Sequence, residues 1–208
     1  MKKQAEYLTT SIWYREPITD PYQTIAEFFS AADPATYRKD IKDILKTASS
    51  NHSWRKGNPG DLLYHLKLIE SVINAAFLIN KEKKESPLDI TPKDIFNPNL
   101  YCGWHANNTE WDYFPRGLSF KEFSNPYRAF SHFFKYLSLP EWKTILQEVS
   151  EYALVNDSLF ESGVDMDILS IYIYLTKLVE AAHLIDVREV NHIGGHIKNR
   201  VKAECYWT

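Results

Sequence analysis

The chain has 208 residues, enough for one large domain or two small ones, and its 44% hydrophobic content can furnish a substantial core. A net charge of −3 and a pI near 6.2 supply no general pull toward nucleic acid or an anionic membrane. Two cysteines, Cys102 and Cys205, are too few for a disulfide framework and fit a reducing cytoplasm.

The N-terminal stretch "MKKQAEYLTTSIWYREP" lacks the apolar centre of a signal peptide. No run approaches the roughly 18 apolar residues that span a bilayer. Helix starts then recur, each a short polar residue followed by proline. Asp20 precedes Pro21, with Ile25, Phe28 and Phe29 following. Asp33 precedes Pro34, and Tyr37, Ile41, Ile44, Leu45 and Ala48 form a one-sided helical stripe. Asn58 and Pro59 open a long apolar helix that ends in "NKEKK". "TPKDIF" after Thr91 reads as a single turn. Asn125 and Pro126 start another helix, and Ser138 with Glu141 has the spacing of a capping box. Asp165 to Ile185 is apolar over most of its circumference; "LSIYIYL" within it has strand-like composition, but length favours helix. A last helix is expected over "REVNHIGGHIKNRVKAE". No hairpin dipeptide between alternating runs, no internal repeat and no Gly/Ser linker is visible. The expected fold is all-α: a single-domain bundle of about six or seven helices. Its helical halves, about 20–81 and 119–203, are joined by a loop over 82–118.

That loop contains "NLYCGWHANNTEWDYFPRGLSF", Asn99 to Phe120, where aromatics crowd a stretch with no helical or strand period. Gly103, Pro115 and Gly117 interrupt it. Disordered segments lack aromatics, so the loop is expected to be ordered and packed on the bundle. Two arrangements satisfy this composition. The loop is a cap over the helices, or it is the lid or wall of a ligand pocket with Trp104, His105 and Trp111 facing inward.

Polar residues on apolar helix faces are the candidates for chemistry. His65 shares a face with Leu62, Ile69, Val72 and Ala76, and Asp61 one turn earlier is placed to orient its imidazole. A buried histidine bonded to a carbonyl serves the same pattern, with Asp61 favoured at the helix N-terminus. Tyr172, Thr176, Glu180 and His183 form another stripe, and Glu180 with His183 makes an E-x-x-H pair. A two-metal carboxylate bundle needs a second such helix. The other match, Glu189 to His192, follows directly in the chain, so Thr176 and Glu180 are expected to face water. In the last segment His192 and His196 would lie one helical turn apart, close enough to chelate a divalent metal. Gly194 and Gly195 between them either break the segment into a turn or admit another backbone.

An early-helix histidine in "YHLKLIE" and the pair in "VNHIGGHIKNRV" together resemble the DinB-type metal-binding bundles. The resemblance rests on those two stretches. It implies a site for one divalent metal ion at His65, His192 and His196, which would activate water or a small nucleophile. Other enzyme classes are not supported. P-loop, G-x-G-x-x-G and G-x-S-x-G motifs are missing. Arg128 to His132 and Arg188 to His192 are too closely spaced for the R-x(4–6)-H motif of HEPN ribonucleases. Cys102 and His105 alone do not define a nucleophile pair. The basic stretch Lys198 to Lys202 is too short for a nucleic-acid surface.

Two functional expectations follow. The leading one is a non-catalytic cytoplasmic binding or interaction protein that offers the aromatic loop to a small molecule or a protein. The alternative is a metal-dependent bundle enzyme at His65, His192 and His196.

Overall fold

The computed structural model of the chain describes residues 16–86, 88–102, 109–163, 165–193 and 196–197. Among the described residues it is all-α apart from a two-residue strand pairing and an isolated bridge residue, Pro17. The helices are α1 (Pro21–Ala31), α2 (Pro34–Ala48), α3 (Pro59–Lys81), α4 (Glu110–Tyr113), α5 (Phe120–Ser124), α6 (Tyr127–Tyr136), α7 (Leu139–Leu154) and α8 (Ile168–Glu189). The expected caps form. Asp20 accepts the amides of Tyr22 and Gln23 at 2.9 and 3.2 Å, and Asp33 accepts that of Thr36 at 2.9 Å. Asn58 accepts the Gly60 amide at 2.8 Å, while Asp61 returns the contact to the Asn58 amide at 3.1 Å.

The helix count exceeds the expectation because α4 and α5 are one turn each. A single turn has no readable 3.6-residue period. Each is started instead by a capping box, Thr109 with Asp112 and Ser119 with Glu122. The connection over 82–118 is also not bare loop: 3-10 turns occupy Pro92–Asp94 and Pro98–Leu100.

Among the described residues of the expected last helix, helical structure ends with α8 at Glu189, and residues 198–204 lie outside the described residues. Val190 turns extended, and His192–Ile193 pairs antiparallel with His196–Ile197, His192 opposite Ile197. Gly-Gly between two short strand-forming pairs, His-Ile on each side, is a hairpin sequence, and two adjacent glycines weaken a helix interior by about 2 kcal/mol in total. The one-turn chelating spacing of His192 and His196 therefore does not apply.

α8 lies at the centre, packed against α1, α2, α3, α5 and α6. Both halves of the chain feed one main core, in which Tyr37 stacks on Phe28 at 3.9 Å and Trp142 on Phe133 at 4.0 Å. A smaller cluster of Ile90, Tyr101, Tyr113, Phe123 and Leu184 lies under the long connection. Contrary to the sequence reading, α3 and α8 each contain an 18-residue window long and apolar enough to cross a membrane. Of those windows 56% and 61% are buried inside the bundle, which accounts for apolar residues around so much of each helix.

Candidate functional site

The long connection is fastened to α8 by polar groups. Glu180 accepts the backbone amides of Arg116 and Gly117, both at 2.8 Å, and pairs with Arg38 Nη1 at 3.1 Å. Arg38 Nη2 donates to the Asp112 carbonyl at 2.7 Å. His183 Nε2 lies 2.9 Å from the Tyr101 carbonyl, which only accepts, so Nε2 carries the proton. The His183 ring is stacked against Tyr113 and meets the edge of Phe29. Arg188 donates to the carbonyls of Leu100 and Phe123 at 2.8 and 2.6 Å. Glu180, His183 and Arg188 thus satisfy backbone groups that an irregular segment would otherwise leave unpaired.

This overturns the expectation that Thr176 and Glu180 face water. Thr176, Glu180 and His183 are all buried, because residues 109–118 cover them. Arg38 and the amides of Arg116 and Gly117 are far away in sequence, so helical periodicity finds the stripe but not its cover. Gly117 makes the close approach possible: a Cβ there would lie 3.2 Å from Glu180 Oε2. Burial pushes the Glu180 carboxyl up from its ordinary range, while the two amides and Arg38 draw it back. A second buried carboxylate, Glu122, accepts from Lys177 Nζ and from the amide and hydroxyl of Ser119. Burial works to raise its pKa, but hydrogen bonds from His132, Ser119 and Lys177 prevail and hold it at about 2.

Of the aromatic candidates, Trp104 and His105 lie outside the described residues. Trp111 does not face inward: it is 64% exposed. Tyr113 is the inward residue of α4, and two residues earlier is about 200° round the helix, which turns Trp111 away. The Trp111 ring meets Phe114 at 5.8 Å, and Phe114 stacks on Phe96 at 6.0 Å. Phe96 is 67% exposed, so the three rings form an outward ridge. Tyr101 meets Phe114 edge-on and joins the ridge to the buried cluster.

His65 is half-buried, and its Nδ1 lies 3.1 Å from Asp40 Oδ2 of α2. Asp61 does not orient it, because the Asp61 carboxylate is engaged in the cap of α3. Burial raises the Asp40 carboxyl, and His65 opposes that shift. These two residues line a polar cleft of about 400 Å³ together with Lys39, Asp43, Trp54 and Lys56. His65 is in the second turn of α3. Glu189, three residues before His192, lies beyond the other end of α3, 3.9 Å from Lys84 Nζ. The intervening axis from His65 to Lys81 is roughly 24 Å. The side chains of His192 and His196 lie outside the described residues. Among the described residues no group of three or more His, Cys, Asp or Glu is arranged to hold a metal ion. Cys102 is half-buried, and burial pushes its thiol up to about 11, which keeps it protonated at neutral pH.

Fold and site together define an all-α helical bundle with an aromatic cap fastened across its central helix. The chain matches no protein-family model, no curated protein and no solved structure.

Proposed function

We propose that the protein is a binding protein that docks a protein partner on the ridge formed by Phe96, Phe114 and Trp111. The observation that carries this reading is the exposure of Phe96 and Trp111, 67% and 64%, on a backbone tied down by buried charge. Large rings held in water lose the free energy that burial would return, about 25 cal/mol per Å² of apolar area. A mobile segment would fold them away. Here Glu180, His183 and Arg188 fasten Gly117, Tyr101 and Leu100 beside the rings, so the backbone that presents them is already held before a partner arrives. Aromatic anchors of this kind dominate protein interfaces. The ridge faces outward, which suits the flat surface of a protein better than the enclosure of a small molecule.

The test compares capture of partners from an extract of the source cells by the wild-type chain and by the Phe96→Ala/Trp111→Ala variant. The variant is expected to keep its melting temperature and lose the specific partner, with affinity reduced at least about 30-fold if the rings act as anchors. Equal recovery of the same proteins by both chains would overturn the reading.

A further inference from the structure

His132 stands on the exposed side of α6, its side chain 48% accessible, with Nδ1 2.9 Å from Glu122 Oε1. Glu122 itself is buried, its side chain 2% accessible. It also accepts from the Ser119 amide and hydroxyl, each at 2.8 Å, and from Lys177 Nζ at 3.0 and 3.2 Å. An ionised carboxylate can only accept, so Nδ1 of His132 must carry a proton. The neutral imidazole then keeps its lone pair on Nε2, at the far edge of the ring from the buried carboxylate. The ring is held by a buried partner while its nucleophilic nitrogen is left toward the exposed side.

The surroundings are cationic. Arg128 and Lys135, both exposed, lie one turn before and one turn after His132 on the same face of α6. Lys121 is exposed on α5, and Lys177 reaches in from α8. Apart from Glu122, α5 and α6 contain no carboxylate. This local surplus of positive charge stands out in a chain whose net charge is −3.

We propose that His132 is a phosphoryl-accepting histidine, with Glu122 as its positioning residue and Arg128 and Lys135 as counter-charges for the phosphoryl oxygens. The donor class is a small acyl phosphate. The Nε2 lone pair attacks phosphorus and forms the N–P bond. The bond from phosphorus to the acyl oxygen breaks, and the carboxylate departs with the electron pair. The proton stays on Nδ1, and the Glu122 carboxylate balances the positive charge of the phosphorylated ring. His52 provides an internal comparison: it is exposed, and among the described residues its ring has no carboxylate partner.

The full chain is incubated with acetyl phosphate at neutral pH, and peptide mapping by mass spectrometry follows phosphorylation at His132 and at His52. His132 is expected to react on the order of 10-fold faster or more, because its carboxylate partner fixes the tautomer and raises the basicity of the ring. The product should be labile to acid and stable to base. Arg128→Ala/Lys135→Ala, two exposed positions, should lower the His132 rate several-fold with the helical spectrum unchanged. Glu122→Gln should bring the His132 rate down to that of His52. If that variant fails to fold, the charge-pair variant and the His132-to-His52 ratio still decide. No modification of His132, or equal rates at His132 and His52, would overturn the proposal.

Discussion

Arg38 and Glu180 show what a single buried contact does in this molecule. Their side chains are 9% and 1% accessible, and Glu180 also accepts two backbone amides from the cap. Removing the guanidinium leaves a buried carboxylate without its counter-charge. Arg38→Ala should therefore cost about 3–5 kcal/mol in urea unfolding, with the denaturant slope unchanged. Gly117→Ala should cost about 1–3 kcal/mol, because the added Cβ meets Glu180 Oε2 at 3.2 Å and one of them must shift. Trp111→Ala, at a position 64% exposed, should stay within about 0.5 kcal/mol. A large loss of stability from Trp111→Ala with little from Arg38→Ala would reverse the roles assigned here. None of these partners is legible in the sequence, since Arg38 and Glu180 are 142 residues apart.

At the scale of elements, α8 and the segment over it behave as one unit. Sequence periodicity identifies the stripe Thr176, Glu180, His183 correctly and misjudges which way it faces. The reason is that a polar stripe on an apolar helix has two solutions, solvent or a layer of unpaired backbone, and periodicity is the same for both. The irregular segment supplies the second solution, its amides and carbonyls taking the place of water. Hydrogen exchange should reveal this. The amides of Arg116 and Gly117 belong to no helix, yet they should exchange slowly in the wild-type chain. In Arg38→Ala they should become fast while the centre of α8 stays protected. Fast exchange of both amides in the wild type would mean that the cap is not fastened as described.

For the whole molecule, two of the buried carboxylates, Glu122 and Glu180, give opposite pH dependences. Glu122 is held down from 4.5 to about 2, so the folded state binds its proton less readily than the unfolded state does. Its contribution is fully present above 4.5 and is lost as pH falls toward 2. Glu180 is shifted upward, so the folded state takes its proton more readily, and that group's contribution declines as pH rises through its raised range. The melting temperature of the wild type should therefore fall steeply between pH 4.5 and 2, and Glu122→Gln should flatten that slope. Parallel acid slopes for the two proteins would show that Glu122 is not a main source of acid sensitivity.

The sequence by itself determined the helical class, the starts of α1, α2, α3 and α7, and the core-facing stripe of α2. Each of these depends on neighbours within one or two turns: a capping side chain, a proline, a repeat of apolar residues. The tertiary structure decided the rest. It set Asp40 rather than Asp61 beside His65, turned Trp111 outward, and ended α8 at Glu189, ahead of the antiparallel pairing of His192–Ile193 with His196–Ile197. It also buried Glu180 under amides from a distant segment. Caps and stripes are local and repeat along the chain, whereas a buried charge chooses its partners from whatever the packing brings within about 3 Å.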